Sequence, residues 1–125
     1  MKRDMDLIRS LLIGIESVPP SERAYFLPNM SSSIGHHLDL INAHGLIKLR
    51  HGPSRDDDSG QWYVLAELTW AGHDFVDTVR DDEIWRKTKE GAKAAGGFSF
   101  DLIKALAKGF MKKQIETRTG VELDL

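Results

Sequence analysis

Five histidines, at positions 36, 37, 44, 51 and 73, are the side chains best suited to metal or proton chemistry. His37 and His44 are seven apart and His73 and Asp77 four apart, so each pair falls on one side of a helix. Two such ligands suit a transition metal, but neither pair has a local third, and helix surface or packing is the expected role. Asp56, Asp58 and Glu67 have the spacing of positions 1, 3 and 12 of a calcium loop. Gln61 stands where that loop needs its glycine, and the segment reads as a turn and strand. No Gly-rich run fits a phosphate cradle, and nothing assembles a Ser–His–Asp set. The chain has no cysteine, which removes thiolate nucleophiles, Cys-containing zinc sites and disulfides. No enzymatic activity, metal or cofactor is therefore expected.

The remaining chemistry is electrostatic. The 125 residues carry 17 Lys+Arg against 19 Asp+Glu. Residues 1–85 hold 8 basic and 14 acidic residues, while residues 86–118 hold 9 basic and 3 acidic ones. Lys104, Lys108 and Lys112 recur every four residues, so they line one helix side, and with Lys113 and Arg118 they can track phosphates. The same row also reads as a solvated face, or as a partner for the acidic stretch from Asp74 to Glu83 within or between chains.

These groups must be positioned by elements that the apolar spacing predicts. Asp4 caps a first helix whose face is Leu7, Ile8, Leu11, Leu12 and Ile15, and Pro19-Pro20 stops it. Ala24 to Leu27 reads as a short strand. Ser31, Ser32 or Ser33 caps a second helix with Ile34, Leu38, Leu40 and Ile41, ended by Gly45. Leu46, Ile47 and Leu49 form a strand, His51 to Gln61 a loop, and Trp62 to Leu68 the return strand of a hairpin. Thr69 caps a third helix, in which Gly72 permits close packing. Asp81 or Asp82 caps a fourth, ended by Gly96-Gly97, and Ser99 a fifth with the stripe Leu102, Ile103, Leu106, Ala107, Phe110 and Met111. Trp62, Trp70 and Trp85 are expected as packing anchors, and the tail from Thr119 to Leu125 as a frayed end.

Helix, short strand, helix, hairpin, helix is the winged-helix order, with the hairpin as wing and the preceding helix as the one that enters the major groove. The expected fold is α+β and winged-helix-like: a domain over 1–80, a helical extension over 81–118 packed on it or used for dimerisation, and a tail over 119–125.

The segments MKRDMDLIRSLL, IGHHLDLINAHGLI, ELTWAGHDFVDTVRDDEIWRKTKE and FDLIKALAKGF together resemble one bacterial and phage family, domain of unknown function twenty-five thirteen, over about residues 1–112. LTWAGHDFVDTVRDDEIW is the most specific block, since Leu-Thr-x-x-Gly alone is common where a wing strand enters a helix. The resemblance implies a prophage-associated, winged-helix-like protein and supplies no catalytic residues.

Two functions follow. In the first, a non-enzymatic regulator binds DNA with modest affinity. Ser32, Ser33, His36 and His37 lie nearest the groove, and Lys48, Arg50, Arg55, Lys104, Lys108 and Lys112 contact phosphate. In the second, the scaffold is a protein-interaction module that does not bind DNA, because the second helix has no Lys or Arg and the wing tip carries Asp56, Asp57 and Asp58. Homodimerisation through the C-terminal helix stays open. Protonation of His36, His37 and His44 near pH 6 would add charge to the helix. A cytoplasmic location without membrane contact is expected, as no apolar run spans a bilayer and the N-terminus lacks a cleavable signal.

Overall fold

The computed structural model describes residues 2–18, 24–26, 32–53 and 62–123, with side chains left undescribed at 24–26, 32, 50–53 and 62–65. The protein has the α+β, winged-helix-like layout. It divides into two compact units, Met1–Asp74 and Phe75–Leu125.

In the first unit, helix α1 spans Met5–Glu16. The Asp4 carboxylate accepts from the N–H groups of Asp6 (3.0 Å) and Leu7 (3.2 Å), satisfying two donors that the helix start leaves open. Met5, Ile8, Leu12 and Ile15 are its buried face, while Leu7 and Leu11 are half-buried. The stripe is thus rotated from the expected one and begins earlier, at Met5. The expected stop at Pro19-Pro20 and any cap at Ser31 lie outside the described residues.

Helix α2, Ser32–Ala43, buries His37, Leu38 and Ile41. Gly45 ends it with φ +85°. The Gly45 N–H donates to the Asn42 carbonyl at 3.0 Å and the Leu46 N–H to the Ile41 carbonyl at 2.9 Å. This left-handed cap satisfies two last-turn carbonyls and buries Leu46.

Strands β1 (Ala24–Phe26), β2 (Ile47–Pro53) and β3 (Trp62–Leu68) form an antiparallel sheet in the order β1-β3-β2. The register sets Ile47 against Leu68, Lys48 against Glu67, and Pro53 against Trp62. The expected loop begins at His51, but His51, Gly52 and Pro53 continue the ladder. Turn-forming composition gives way there to pairing with β3, and proline is tolerated because β2 is an edge strand. The rest of that loop lies outside the described residues.

Helix α3, Trp70–Val79, carries the break between the units. The Thr69 hydroxyl accepts from the Gly72 N–H (3.1 Å) and donates to the Gly45 carbonyl (2.5 Å), tying the start of α3 to the end of α2. A Cβ on Gly72 would collide with the Leu46 carbonyl oxygen and lie 3.3 Å from the Leu68 side chain, so the close approach here requires glycine. Trp70 is 84% exposed, which corrects the expectation of a packing anchor. As the first residue of α3 it points away from the face that buries Phe75, Val76 and Val79. Trp85 is buried as expected.

In the second unit, α4 (Asp82–Ala94) and α5 (Phe100–Thr119) pack against each other. Asp81 caps α4 through the Ile84 N–H (2.9 Å), and Ser99 caps α5 through the Leu102 N–H (3.2 Å). Gly96 turns the chain with φ +92°. Ile84, Trp85, Thr88 and Ala92 from α4 and Ile103 and Ala107 from α5 are buried, the two alanines allowing a close approach. The buried Thr88 hydroxyl donates to the Ile84 carbonyl at 2.7 Å. Phe75 and Phe100 meet with ring centroids 4.8 Å apart.

The expected frayed end is partly ordered. Thr119 belongs to α5, Gly120 caps it with φ +72°, and the Leu123 N–H donates to the Glu116 carboxylate at 3.0 Å. A left-handed glycine and a carboxylate one turn before it bring the chain back, a signal that apolar spacing does not contain.

Candidate nucleic-acid interface

The helix that would enter the groove is α2, and its side chains are largely committed elsewhere. His37 is 1% exposed. Its Nδ1 lies 2.6 Å from the Ser33 carbonyl and its Nε2 2.8 Å from the Asp4 N–H. That pairing requires a proton on Nδ1 and a lone pair on Nε2. The expected placement of His37 near the groove is corrected: both ring nitrogens are used inside the unit. The sequence signal is present, since His37 sits on the same helical side as Leu38, Ile41 and Ile34, but its partner 33 residues away is not legible there.

His36 is half-buried and sits edge-on to His37 with centroids 5.5 Å apart. Ser33 is half-buried, and Ser32 is the first residue of α2 with its side chain outside the described set. Asn42 accepts from the Leu49 N–H through Oδ1 at 3.2 Å, which fastens α2 to the wing strand. The exposed side chains along α2 are Asp39, Asn42 and Ala43, so this face offers one carboxylate and no cation.

On the wing, Lys48 is exposed and faces Glu67 across the ladder. Arg50 lies on β2 with its side chain undescribed, and Arg55 lies outside the described residues. On α5, Lys104 and Lys108 are exposed. Lys112 is half-buried, with Nζ 3.8 Å from Glu116. The expected phosphate contacts thus fall into a wing set in the first unit and an α5 set in the second.

A second cluster of cations escapes the sequence reading. Lys87 on α4 and Lys113 and Arg118 on α5 line a groove with Glu83, Ile84, Phe110, Gln114 and Thr117. Spacing alone makes Lys113 and Arg118 mere extensions of the α5 row. The antiparallel hairpin that brings Lys87 to them could have been read from the Gly96-Gly97 turn. Beside the groove, Arg86 binds Glu83 through Nε (3.0 Å) and Nη2, and Glu90 through Nη1 (2.7 Å). The hydrogen bond from Arg86 holds the Glu83 carboxyl below its usual range, against an opposing desolvation and with smaller help from the charges of Arg86 and Lys87. The two carboxylates hold the Arg86 guanidinium above its usual value.

Among the described residues no group of three His, Asp or Glu side chains converges on a metal position, and no helix is long and apolar enough to cross a membrane.

Fold and surface define a winged-helix-like α+β protein with a helical hairpin in its second unit. Residues 2–99 match the family described as Hypothetical protein (DUF2513), and the chain belongs to it. It is 31% identical over 121 residues to an uncharacterised protein of Haemophilus influenzae, covering 92% of this chain and 99% of the relative. No solved structure matches.

Proposed function

We propose that the protein is a non-enzymatic regulator that holds duplex DNA through phosphate contacts, with little base reading. The observation that carries this reading is the pairing of a winged framework with exposed, solvent-facing cations at Lys48, Lys104 and Lys108. Cations of this kind displace condensed counterions from DNA, which supplies sequence-independent affinity. Base reading is weak because α2 has no cation, His37 is buried and Asn42 already accepts from a backbone N–H. Fluorescence anisotropy with a mixed-sequence duplex tests the reading. Binding should be measurable at low salt, fall by at least tenfold toward physiological salt, and vary little between sequences. Absence of binding at low salt would reject it.

A second reading is favoured by Trp70 and by the acidic, cation-free surface of α2. An 84% exposed tryptophan is the kind of side chain that anchors protein interfaces. In this reading the scaffold docks a protein and leaves DNA alone. The same titration separates the two, since a protein-docking module gives a flat anisotropy curve at every salt concentration.

A further inference from the structure

The groove between α4 and α5 has a volume of 380 Å³, within the range of small-molecule sites. Its walls combine three kinds of group. Ile84 and Phe110 supply an apolar floor, Gln114 and Thr117 supply neutral hydrogen-bonding groups, and Lys87, Lys113 and Arg118 supply positive charge. The single carboxylate in the lining, Glu83, is bound by two nitrogens of Arg86. Its negative charge is thus engaged by Arg86 and by the field of Lys87, which leaves Lys113 and Arg118 unbalanced by it. Neither Lys113 nor Arg118 has a carboxylate within ion-pairing distance among the described residues.

Position in the hairpin explains why the groove exists. Near the connected end the helices approach closely, since a Cβ on Gly91 would lie 3.3 Å from a Leu106 methyl. Further from the turn, α4 reaches its first residues while α5, at 20 residues against 13, runs on past it. The overhanging turns of α5 bring Gln114, Thr117 and Arg118 alongside the start of α4, where no further turn of α4 covers them.

We propose that this groove binds a small organic anion, a phosphate or carboxylate carried on an apolar body. The apolar part would lie on Phe110 and Ile84, and the anionic group would be held by Lys113 and Arg118 with Lys87 at the side. A guanidinium matches both anions in a forked geometry, and a lysine adds a point charge. An inorganic ion alone would leave the floor uncovered, and a neutral aromatic would leave the cations unused. This site goes beyond the DNA reading, which uses Lys48, Lys104 and Lys108, none of which lines the groove.

The test is titration of the full-length, ¹⁵N-labelled protein with phenyl phosphate, benzoate, inorganic phosphate and benzyl alcohol. Phenyl phosphate, benzoate or both should shift the amides of Ile84, Lys87, Phe110, Lys113 and Gln114 in a saturable way. The better of the two should bind at least tenfold tighter than inorganic phosphate or benzyl alcohol, and which of them binds better distinguishes a phosphate ligand from a carboxylate. Lys113→Glu and Arg118→Glu should each weaken binding at least tenfold with unchanged circular dichroism. Lys113→Arg should retain it, and Lys93→Glu, of equal charge change outside the groove, should leave it unaltered. Equal weakening by Lys93→Glu, shifts centred elsewhere, or no saturable shift with either aromatic anion would overturn the proposal. None of these measurements involves DNA, so their failure leaves the phosphate-contact reading standing.

Discussion

At the scale of single residues, His37 does the work that a glutamate does in a capping box. There, the N-cap side chain binds the N–H three residues on, and the residue at that third position reaches back to the N-cap N–H. Asp4 meets the first half through the Leu7 N–H, but Leu7 has no acceptor to return. His37 supplies it from a different helix, at 2.8 Å. The bond therefore caps α1 and fixes α2 beside it in one step. His37→Phe keeps the ring and removes both partners, leaving the Asp4 N–H without an acceptor, and should cost about 1–3 kcal/mol in urea unfolding. His37→Gln should recover part of that loss, whereas a purely steric role would make Phe the better replacement. The Glu83–Arg86 pair is the opposite case, fully solvated and adding little stability. Because Glu83 is held below its ordinary value, its contribution is present above the unfolded-state midpoint and is lost as pH falls through the folded one. Carboxyl NMR should show Glu83 titrating below an ordinary glutamate, and Arg86→Ala should return it to the ordinary range.

At the scale of elements, turns and helix ends in unit 1 tie α2 and β2 to the start of α3. Gly45, Leu46, Thr69 and Gly72 form one junction: Gly45 ends α2, its carbonyl accepts from Thr69, and the Leu46 carbonyl occupies the space where Gly72 lacks a side chain. Gly72→Ala should therefore destabilise by about 1–3 kcal/mol through overpacking against backbone, a group that cannot rotate away. Gly45→Ala should cost about 1–2 kcal/mol for a different reason, the left-handed φ, because a Cβ there meets nothing within 4 Å. Thermal melts of both variants, with Gly14→Ala as a helix-interior control expected to stabilise slightly, check the two mechanisms. These junction residues were legible in the sequence because each depends on local chemistry: a cap, a left-handed glycine, a close approach. The order of helices and hairpin was legible for the same reason. The run of β2 through Pro53, the return of Leu123 to Glu116 and the bond from the Asp4 N–H to His37 were not. Each depends on a partner distant in the chain or on a carboxylate whose reach no periodicity encodes. The same limit applied to the candidate interface. Charge rows along α5 could be counted from spacing, and the α4–α5 hairpin from its glycine turn, but the exposure of Trp70 and the groove that Lys87, Lys113 and Arg118 line depend on how elements pack.

At the scale of the whole molecule, net charge and charge placement point in different directions. The chain carries a formal charge of -2, which disfavours approach to DNA, yet residues 86–118 hold 9 basic residues against 3 acidic ones. Phosphate binding is decided by the local cations, since a Debye length of about 8 Å at physiological salt screens the distant acids. The number of cations engaged can be read from the salt slope, which changes by about 0.9 for each B-DNA phosphate that a cation neutralises. Lys104 and Lys108 are exposed and have no ion pair among the described residues, whereas Lys112 is shared with Glu116. Lys104→Gln with Lys108→Gln should therefore lower the slope of log K against log salt by about 2. Lys112→Gln should change it by less than half of what one fully engaged lysine contributes, because Lys112 is already partly neutralised by Glu116. Lys48→Gln reports on the wing, where a reduction of about 1 would show that the ribbon lies on the backbone. Anisotropy titrations at four salt concentrations give all three slopes. A slope unchanged by the double α5 variant but reduced by Lys48→Gln would assign DNA binding to the wing alone. Unchanged slopes in every variant would remove these lysines from the interface, and with them the phosphate-contact reading of the fold.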